Sequence, residues 1–499
     1  MKTLEQSLDE AWNDTKKLFS YPPIKKPEFT DNTNTAAIDM SNHKITVSKK
    51  FVRKVSSNAA KNNYSLDDST IMKGLLHHEV NHYMYCPYDM TTLMKIEDQI
   101  SKVTDNNIHT IANYFMDVVI NLDLMKKKKR MEVSEVYKHL DKIHPVDQLM
   151  SAIYQDKTRA DFGVNITSPG MNARLDELKK IDYLNKKKWM KSSKKFAELI
   201  TDLINDQNKN DLLKVDNWDS DCYTDGDIEK ALSDVAKEFD VRDFKDAVKR
   251  AGIKVNSIPQ GIDSLYYDQQ SKKYLMHIKP RNVKGKSVEN TEHKKYEISD
   301  SYSSIDVFNS YGKYMPGLSQ VWKPVEQPIN GTLAGIPDLV LALDTSGSMP
   351  DPTKELSPAV LGAFCAAKLY LEKNSRVATY NFSSNIYLTE FSRDKAKIFK
   401  NLSMFQDGGT FFDVQSLSNL INSTKTKADL MIVTDMGIEN FDETMNYLKT
   451  IKKANRINIL WIDSYSDIDI SNLNSDNFNI YKIKDNNDIP KIMIGESTR

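Results

Sequence analysis

Apolar residues are spaced along this chain in three different textures. Near the start, Leu4, Leu8 and Trp12 recur at helical intervals with charged residues between them, which predicts an amphipathic helix within Met1 to Ser20. Tyr21-Pro22-Pro23 and Lys26-Pro27 interrupt it. Two short β-like runs follow, Ala36 to Met40 and Lys44 to Val47, joined by Ser41-Asn42-His43 as a candidate hairpin. A second helix is predicted from about Ser69 to Tyr85. Asp67, Asp68 and Ser69 offer N-caps, Leu75, Leu76, Val80, Tyr83 and Met84 form an apolar stripe, and Pro87 ends the run. A third helix covers Ile108 to Met125 and buries Ile111, Phe115, Val118, Val119 and Leu122. On a neighbouring side His109, Asn113, Asp117 and Asn121 recur at four-residue steps.

From about 132 to 330 the pattern stays helical and says little more. It holds Lys186-Lys187-Lys188, amphipathic stretches at Phe196 to Leu203 and Ile228 to Phe239, and a polar passage from Val283 to Ser304. From Ile336 onward short apolar runs alternate with amphipathic helices. Leu339 to Leu343, Val377 to Phe382, Leu430 to Val433 and Ile457 to Ile462 are strand candidates, and Pro358 to Glu372, Phe412 to Ile421 and Phe441 to Lys453 are the helices between them. Such alternation predicts a doubly wound α/β domain. No internal repeat suggests an array.

With 499 residues the chain is too long for one hydrophobic core. The expected organisation is an α/β multidomain protein. A mostly α domain with a small β hairpin or sheet occupies 1–131, a mostly helical connecting region 132–333, and the doubly wound α/β domain 334–499. Lys plus Arg (69) equals Asp plus Glu (69), so no overall field favours nucleic acid or an anionic membrane as partner. Cys86, Cys222 and Cys365 are isolated and odd in number, which argues against a disulfide framework and for a reducing compartment. There is neither a signal peptide's apolar run nor a stretch of about 18 apolar residues. A cytoplasmic protein without membrane or nucleic-acid partners is expected.

The first chemistry lies in His78-Glu79-Val80-Asn81-His82. Residues four apart share a helix face, so His78 and His82 can present two imidazole nitrogens to one Zn2+ ion, with Glu79 beside the open position as a base. The plain alternative is a solvated helix with two histidines, and the capped helix downstream of a candidate hairpin favours the ligand pair. An extended metzincin pattern fails, because Tyr85 and Tyr88 stand where glycine and a third ligand belong. Another helix must supply that ligand. Asp117 is the choice, with His109 and Asp89 as alternates, a helix-surface aspartate as the plain reading, and Asn113 and Asn121 hydrogen-bonding around the site. This zincin-type arrangement implies hydrolysis: zinc lowers the pKa of a water toward about 7 and Glu79 carries its proton to the leaving amine. A peptide is the natural substrate, and the run Lys44 to Val47 is a candidate edge for strand addition. His77 points about 100° away on the helix and reads as structural.

The second chemistry follows the strand Leu339 to Leu343. Asp344-Thr345-Ser346-Gly347-Ser348 puts a carboxylate and two hydroxyls at a strand's carboxyl end, an oxygen-rich pocket suited to Mg2+. Gly408-Gly409-Thr410 precedes a helix, and Thr434-Asp435-Met436-Gly437 follows the strand Leu430 to Val433. This set resembles the von Willebrand factor A family over about residues 334 to 499. The resemblance implies a metal-ion-dependent adhesion site in which Asp344, Ser346, Ser348, Thr410 and Asp435 hold magnesium and an acidic side chain of a protein partner completes the shell. Met436 departs from the glycine or small residue that many members carry. A calcium-loop reading of Asp219 to Asp227 fails, since Leu232 falls where a bidentate acid is required.

The two sites together resemble the HExxH and von Willebrand factor A-like proteins associated with MoxR-type AAA+ ATPases, which implies such an ATPase as partner. Two functional classes follow. One is a zinc metallopeptidase whose A-like domain recruits a protein; the other is a non-catalytic, metal-dependent adaptor or scaffold. They differ at Glu79.

Overall fold

A computed structural model describes residues 2–140, 144–205, 220–254, 261–275, 288–297, 299–300, 304–312, 314–326, 337–425, 427–462, 477–483 and 485–498. The chain forms two compact units, Met1–Gln270 with Asp351–Leu356, and Ser271–Pro350 with Ser357–Arg499. No helix among the described residues is long and apolar enough to cross a membrane.

The first unit opens with α1 (Leu4–Leu18), where Thr3 and Gln6 form a reciprocal capping box. Strands β1 (Glu28–Thr30), β2 (Ala36–Asp39) and β3 (Lys44–Ser48) make a sheet in the order β1-β3-β2. The anticipated hairpin is the antiparallel pair β2 and β3, and β1 adds parallel to β3 on the other side. The expectation that Lys44 to Val47 offers an edge to a peptide is therefore corrected. A strand paired on one side from Lys44 to Val47 and on the other from Thr46 to Ser48 lies inside the sheet and is not an edge.

The helices that follow are α2 (Lys49–Lys61), α3 (Asp68–Met84), α4 (Met90–Ser101), α5 (Ile108–Leu122), α6 (Glu132–Lys138), α7 (Pro145–Thr158), α8 (Pro169–Lys179), α9 (Trp189–Asn205), α10 (Asp225–Glu238), α11 (Val241–Arg250) and α12 (Ile262–Leu275). Asp67 caps α3 by accepting from Thr70 N at 3.0 Å. The sequence suggests one apolar stripe on this helix, but packing by α1, α2, α5, α6 and β2 buries polar and apolar positions alike, from Ile71 and Leu76 to Glu79 and Asn81. Gly74 permits part of that packing. A Cβ there would lie 2.8 Å from the Glu132 carbonyl oxygen, so only glycine lets the α6 backbone approach so closely. Helix α5 ends in a π-helical turn, Asp123–Lys127. Helices α6 to α11 belong to the first unit, so the connecting region expected at 132–333 is divided between the two units.

Of the polar passage Val283 to Ser304, residues 283–287, 298 and 301–303 lie outside the described residues, as does Asp219. Within it β4 (Val288–Lys295) pairs antiparallel with β5 (Gln320–Glu326). The rest of the second unit is a doubly wound sheet: β6 (Asp338–Asp344), α13 (Pro358–Glu372), β7 (Val377–Phe382), β8 (Ile386–Ser392), α14 (Lys395–Leu402), α15 (Val414–Asn422), β9 (Ala428–Thr434), α16 (Phe441–Thr450), β10 (Ala454–Ile462), β11 (Phe478–Ile483) and α17 (Ile489–Thr498). The strand order is β11-β10-β9-β6-β7-β8, parallel except for the antiparallel edge β8. Every residue of β6 and β9 is buried, which is why both read as unbroken apolar runs. From β6 the chain moves toward one edge and from β9 toward the other, so the crevice at a change of direction opens between their carboxyl ends.

Candidate metal centres

His78, His82 and Asp117 come together, although 34 or more residues separate Asp117 from the histidines in sequence. Each imidazole Nε2 stands 3.3 Å from Asp117 Oδ1. The opposite ring nitrogens are committed elsewhere. His82 Nδ1 lies 2.9 Å from the Cys86 carbonyl oxygen, which can only accept, so that nitrogen carries the proton. His78 Nδ1 lies 2.9 Å from Asn121 Oδ1, while Asn121 Nδ2 donates to Tyr154 Oη at 3.0 Å and fixes the amide's orientation. In the neutral rings both Nε2 lone pairs therefore face one carboxylate oxygen.

With both rings neutral that convergence is unfavourable, and a proton on one ring or a cation between the three atoms relieves it. Asp117 Oδ1 is buried and receives no hydrogen bond of acceptable geometry. Burial pulls the His78 imidazole down, but the charge and contact of Asp117, with Glu79 adding to them, overcome this and leave it raised to about 9. Burial alone would raise Asp117; the charges and contacts of His78 and His82 hold it down at about 2. Positive charge is what the pocket demands. Zinc fits the donor set: bonds of about 2.0–2.2 Å at tetrahedral angles separate two ligand atoms by about 3.3–3.5 Å. An imidazolium to carboxylate hydrogen bond would be shorter, about 2.7–2.9 Å. The partly exposed side of the triad is formed by His78 and Asp117, with 15% and 14% of their side chains accessible, against 3% for His82.

The other anticipated residues are also placed. Glu79 is buried between the two histidines in sequence and acts electrostatically on His78. Of the two asparagines anticipated around the site, Asn121 Oδ1 lies 2.9 Å from His78 Nδ1 and Asn113 Nδ2 lies 3.5 Å from Asp117 Oδ2. Both alternates are engaged elsewhere, His109 with Glu97 at 2.7 Å and Asp89 as the cap of α4 through Thr92 N at 2.8 Å. His77 points away, 3.5 Å from Asp14 and 3.9 Å from Glu132. Two contributors gave no sequence signal. One is the Cys86 carbonyl. The other is Asn81, which donates to the Ile120 carbonyl at 3.0 Å and to Asp123 at 3.1 Å and so ties α3 to the helix carrying Asp117.

At the second centre the register of β6 beside β9 puts Asp344 next to Thr434. Asp344 Oδ1 accepts from Ser346 N at 3.0 Å and Ser346 Oγ at 2.5 Å, and Oδ2 accepts from Thr434 Oγ1 at 2.7 Å. Ser346 Oγ lies 3.1 Å from Ser348 Oγ, so a line of oxygens runs from the buried strand end to an exposed hydroxyl. The three loops are bonded to one another: Gly347 N donates to the Gly408 carbonyl at 3.1 Å, and Glu439 N to the Thr410 carbonyl at 2.9 Å. Thr410 and Asp435 are buried, and Asp435 Oδ1 accepts from Gly437 N at 2.9 Å. Burial, reinforced by the charge of Asp435, outweighs the hydrogen bonds from Ser346 and Thr434 and raises the Asp344 carboxyl above its usual range. No ion pair to Asp344 exists among the described residues. A buried carboxylate among hydroxyls, with a second carboxylate nearby, is a donor set for a hard cation such as magnesium. Met436 has φ of 66°, the left-handed region that favours glycine, and its side chain is buried in the sheet's core. Thr434, which links Asp344 to Met436 N, was not singled out by the sequence.

No family model and no curated protein matches the chain. Among solved structures it is similar to a pilus adhesin, SpaC from Lactobacillus rhamnosus GG, at 13% identity and a TM-score of 0.27, covering 33% of this chain and 30% of that one. It is similar to a von Willebrand factor type A protein from Catenulispora acidiphila at 12% identity and a TM-score of 0.25, covering 33% and 42%. A third is an aerotolerance-related membrane protein from Bacteroides fragilis, at 16% identity and a TM-score of 0.23, covering 32% and 98%. The chain thus spans less than half the length of the first two. Likeness at this level assigns no activity.

Proposed function

We propose that the chain is a zinc-dependent metallopeptidase whose second unit, a von Willebrand factor A-like domain, binds a protein partner through magnesium. The observation that carries the first half is the convergence of His78 Nε2, His82 Nε2 and Asp117 Oδ1, with both Nδ1 atoms held away by acceptors. Zinc bound there would supply Lewis acidity toward a peptide carbonyl and an acidified water. Asn121 and the Cys86 carbonyl orient the two imidazoles, and Asn81 fixes the spacing of their helices. Glu79, one residue from His78 on a rigid buried helix, takes the proton and returns it to the amine that leaves. Incubation of a mixed peptide pool with zinc-loaded protein tests this. Cleavage by the natural chain and none by Asp117→Ala, whose zinc content falls with its activity, is expected; equal cleavage by both would sink the assignment.

For the second half, the partner class implied by the sequence resemblance is a MoxR-type AAA+ ATPase. The Asp344→Asn variant tests the magnesium role through a sign worked out from charge. The folded carboxyl is raised, so its ionised form is disfavoured by folding and costs stability once pH exceeds the unfolded value. Asparagine removes that cost and can still meet Ser346 and Thr434. Asp344→Asn should therefore melt higher than the natural chain in chelator at neutral pH, and should lose the stabilisation that magnesium gives the natural chain. A variant that still responds to magnesium would refute the site.

A further inference from the structure

Two runs far apart in sequence, Lys126-Lys127-Lys128-Lys129-Arg130 at the π turn after α5 and Lys186-Lys187-Lys188 before α9, meet around one ring. Lys127 Nζ donates to Tyr85 Oη at 2.9 Å and to the Leu184 carbonyl at 3.4 Å, and Tyr85 Oη donates to the same carbonyl at 3.2 Å. The ammonium groups of Lys127, Lys128 and Lys186 lie 5.1, 5.5 and 4.6 Å from the centre of the Tyr85 ring. Lys186 also lies 5.1 Å from the centre of the Tyr88 ring. Lys126, Lys127, Lys129, Lys186, Lys187 and Lys188 are exposed. The acids within these segments are already taken: Asp123 is buried against Lys128, and Asp182 pairs with Lys188 at 3.1 Å. In a chain whose charges cancel, this is a strong local excess of positive charge. It adjoins the end of α3, since Tyr85 follows His82 by three residues and Cys86 holds the His82 ring.

We propose that this surface docks an acidic stretch of polypeptide and so selects the substrate of the neighbouring HExxH site; the substrate role rests on the peptidase reading, the docking does not. Charge complementarity requires an anionic partner. Binding of single-stranded nucleic acid relies on aromatic faces open to bases. Here the Tyr85 ring is ringed by three ammonium groups, Trp189 is buried, and Tyr88 is the one exposed ring beside Lys186 among the described residues, which gives no platform for successive bases. Arg130, the arginine of these two runs, is not available to grip phosphate, because it is turned to Asp14 and Glu132 at 3.6 and 3.5 Å. Exposed lysines, as mobile point charges, suit carboxylates spaced along a flexible chain.

Fluorescence anisotropy with the full chain tests the proposal, using a labelled glutamate-rich peptide, its glutamine counterpart and a labelled oligouridylate as probes. The glutamate peptide should bind best, and more weakly as salt rises. The triple variant Lys126→Glu, Lys129→Glu, Lys187→Glu changes exposed residues that make no ion pair among the described residues; it should keep its melting temperature and lose at least about tenfold in affinity, or 1.4 kcal/mol. Unchanged affinity in that variant, equal binding of the glutamine peptide, or tighter binding of the oligouridylate would each overturn it. Cleavage assays of the same two peptides separate the readings. Preferential binding with no cleavage of either sinks the peptidase and keeps the docking surface, whereas cleavage of both without preference keeps the peptidase and overturns the selection of its substrate by this surface.

Discussion

Glu79→Gln is expected to lower turnover of any peptide the chain cleaves by about 10²–10⁴-fold while its zinc content stays that of the natural protein. The separation of the two effects follows from the site's construction. The metal-facing atoms belong to His78, His82 and Asp117, and Glu79 is not among them. Glutamine has the same shape and reach as glutamate, so the buried helix α3 keeps its packing, but the amide cannot accept a proton. The loss should fall on kcat with little change in KM, because a group that works only while the proton moves contributes little to holding the substrate. Metal analysis and steady-state kinetics on the same preparations check both halves. Unchanged turnover removes Glu79 from the chemistry and leaves the adaptor reading; a parallel loss of zinc would make Glu79 a ligand.

How much of this could be read from sequence depended on whether the information was local. Helix α13 and strand β7 fall where the sequence places them, Pro358–Glu372 and Val377–Phe382, because Ser357 with Pro358 marks a helix start and a fully buried strand is a continuous apolar run. His78, His82 and Asp117 were recoverable because a helical period of 3.6 fixes which residues share a side. The strands β1, β8 and β11 were not. β1 has three residues, and β8 is an edge strand with Tyr387, Leu388 and Glu390 exposed, so neither burial nor alternation announces them. Asn81, Cys86 and Thr434 act through atoms brought close only by tertiary packing, and a backbone carbonyl leaves no trace in residue type. The lysine runs were visible, but only the fold shows that they share Tyr85.

Arg456→Met is expected to destabilise the second unit by about 3 kcal/mol while leaving its magnesium response intact below the melting transition. Strand β6 begins and ends on an aspartate, Asp338 and Asp344, while β9 has Asp429 as its second residue and is followed directly by Asp435. At the amino ends both are matched by arginine: Asp338 meets Arg376 at 2.5 Å, and Asp429, with no exposed surface, meets Arg456 at 2.8 Å. At the carboxyl ends no basic side chain pairs with Asp344 or Asp435 among the described residues. Methionine keeps the length and packing of the arginine stem but leaves the Asp429 carboxylate buried with, among the described residues, Tyr370 Oη at 2.5 Å and Asn455 Nδ2 at 2.9 Å as donors, which places the loss at the low end for a broken buried pair. Six residue steps along the strand, about 20 Å, separate Asp429 from Asp435, so the damage is to stability and not to the loops. Chemical denaturation with and without magnesium measures both effects. The same sheet buries four carboxylates and gives protein cations to two of them. If Arg456→Met costs the fold several kilocalories while the natural chain keeps Asp344 buried with no such partner, the missing charge at the carboxyl end is the one that a bound cation would supply.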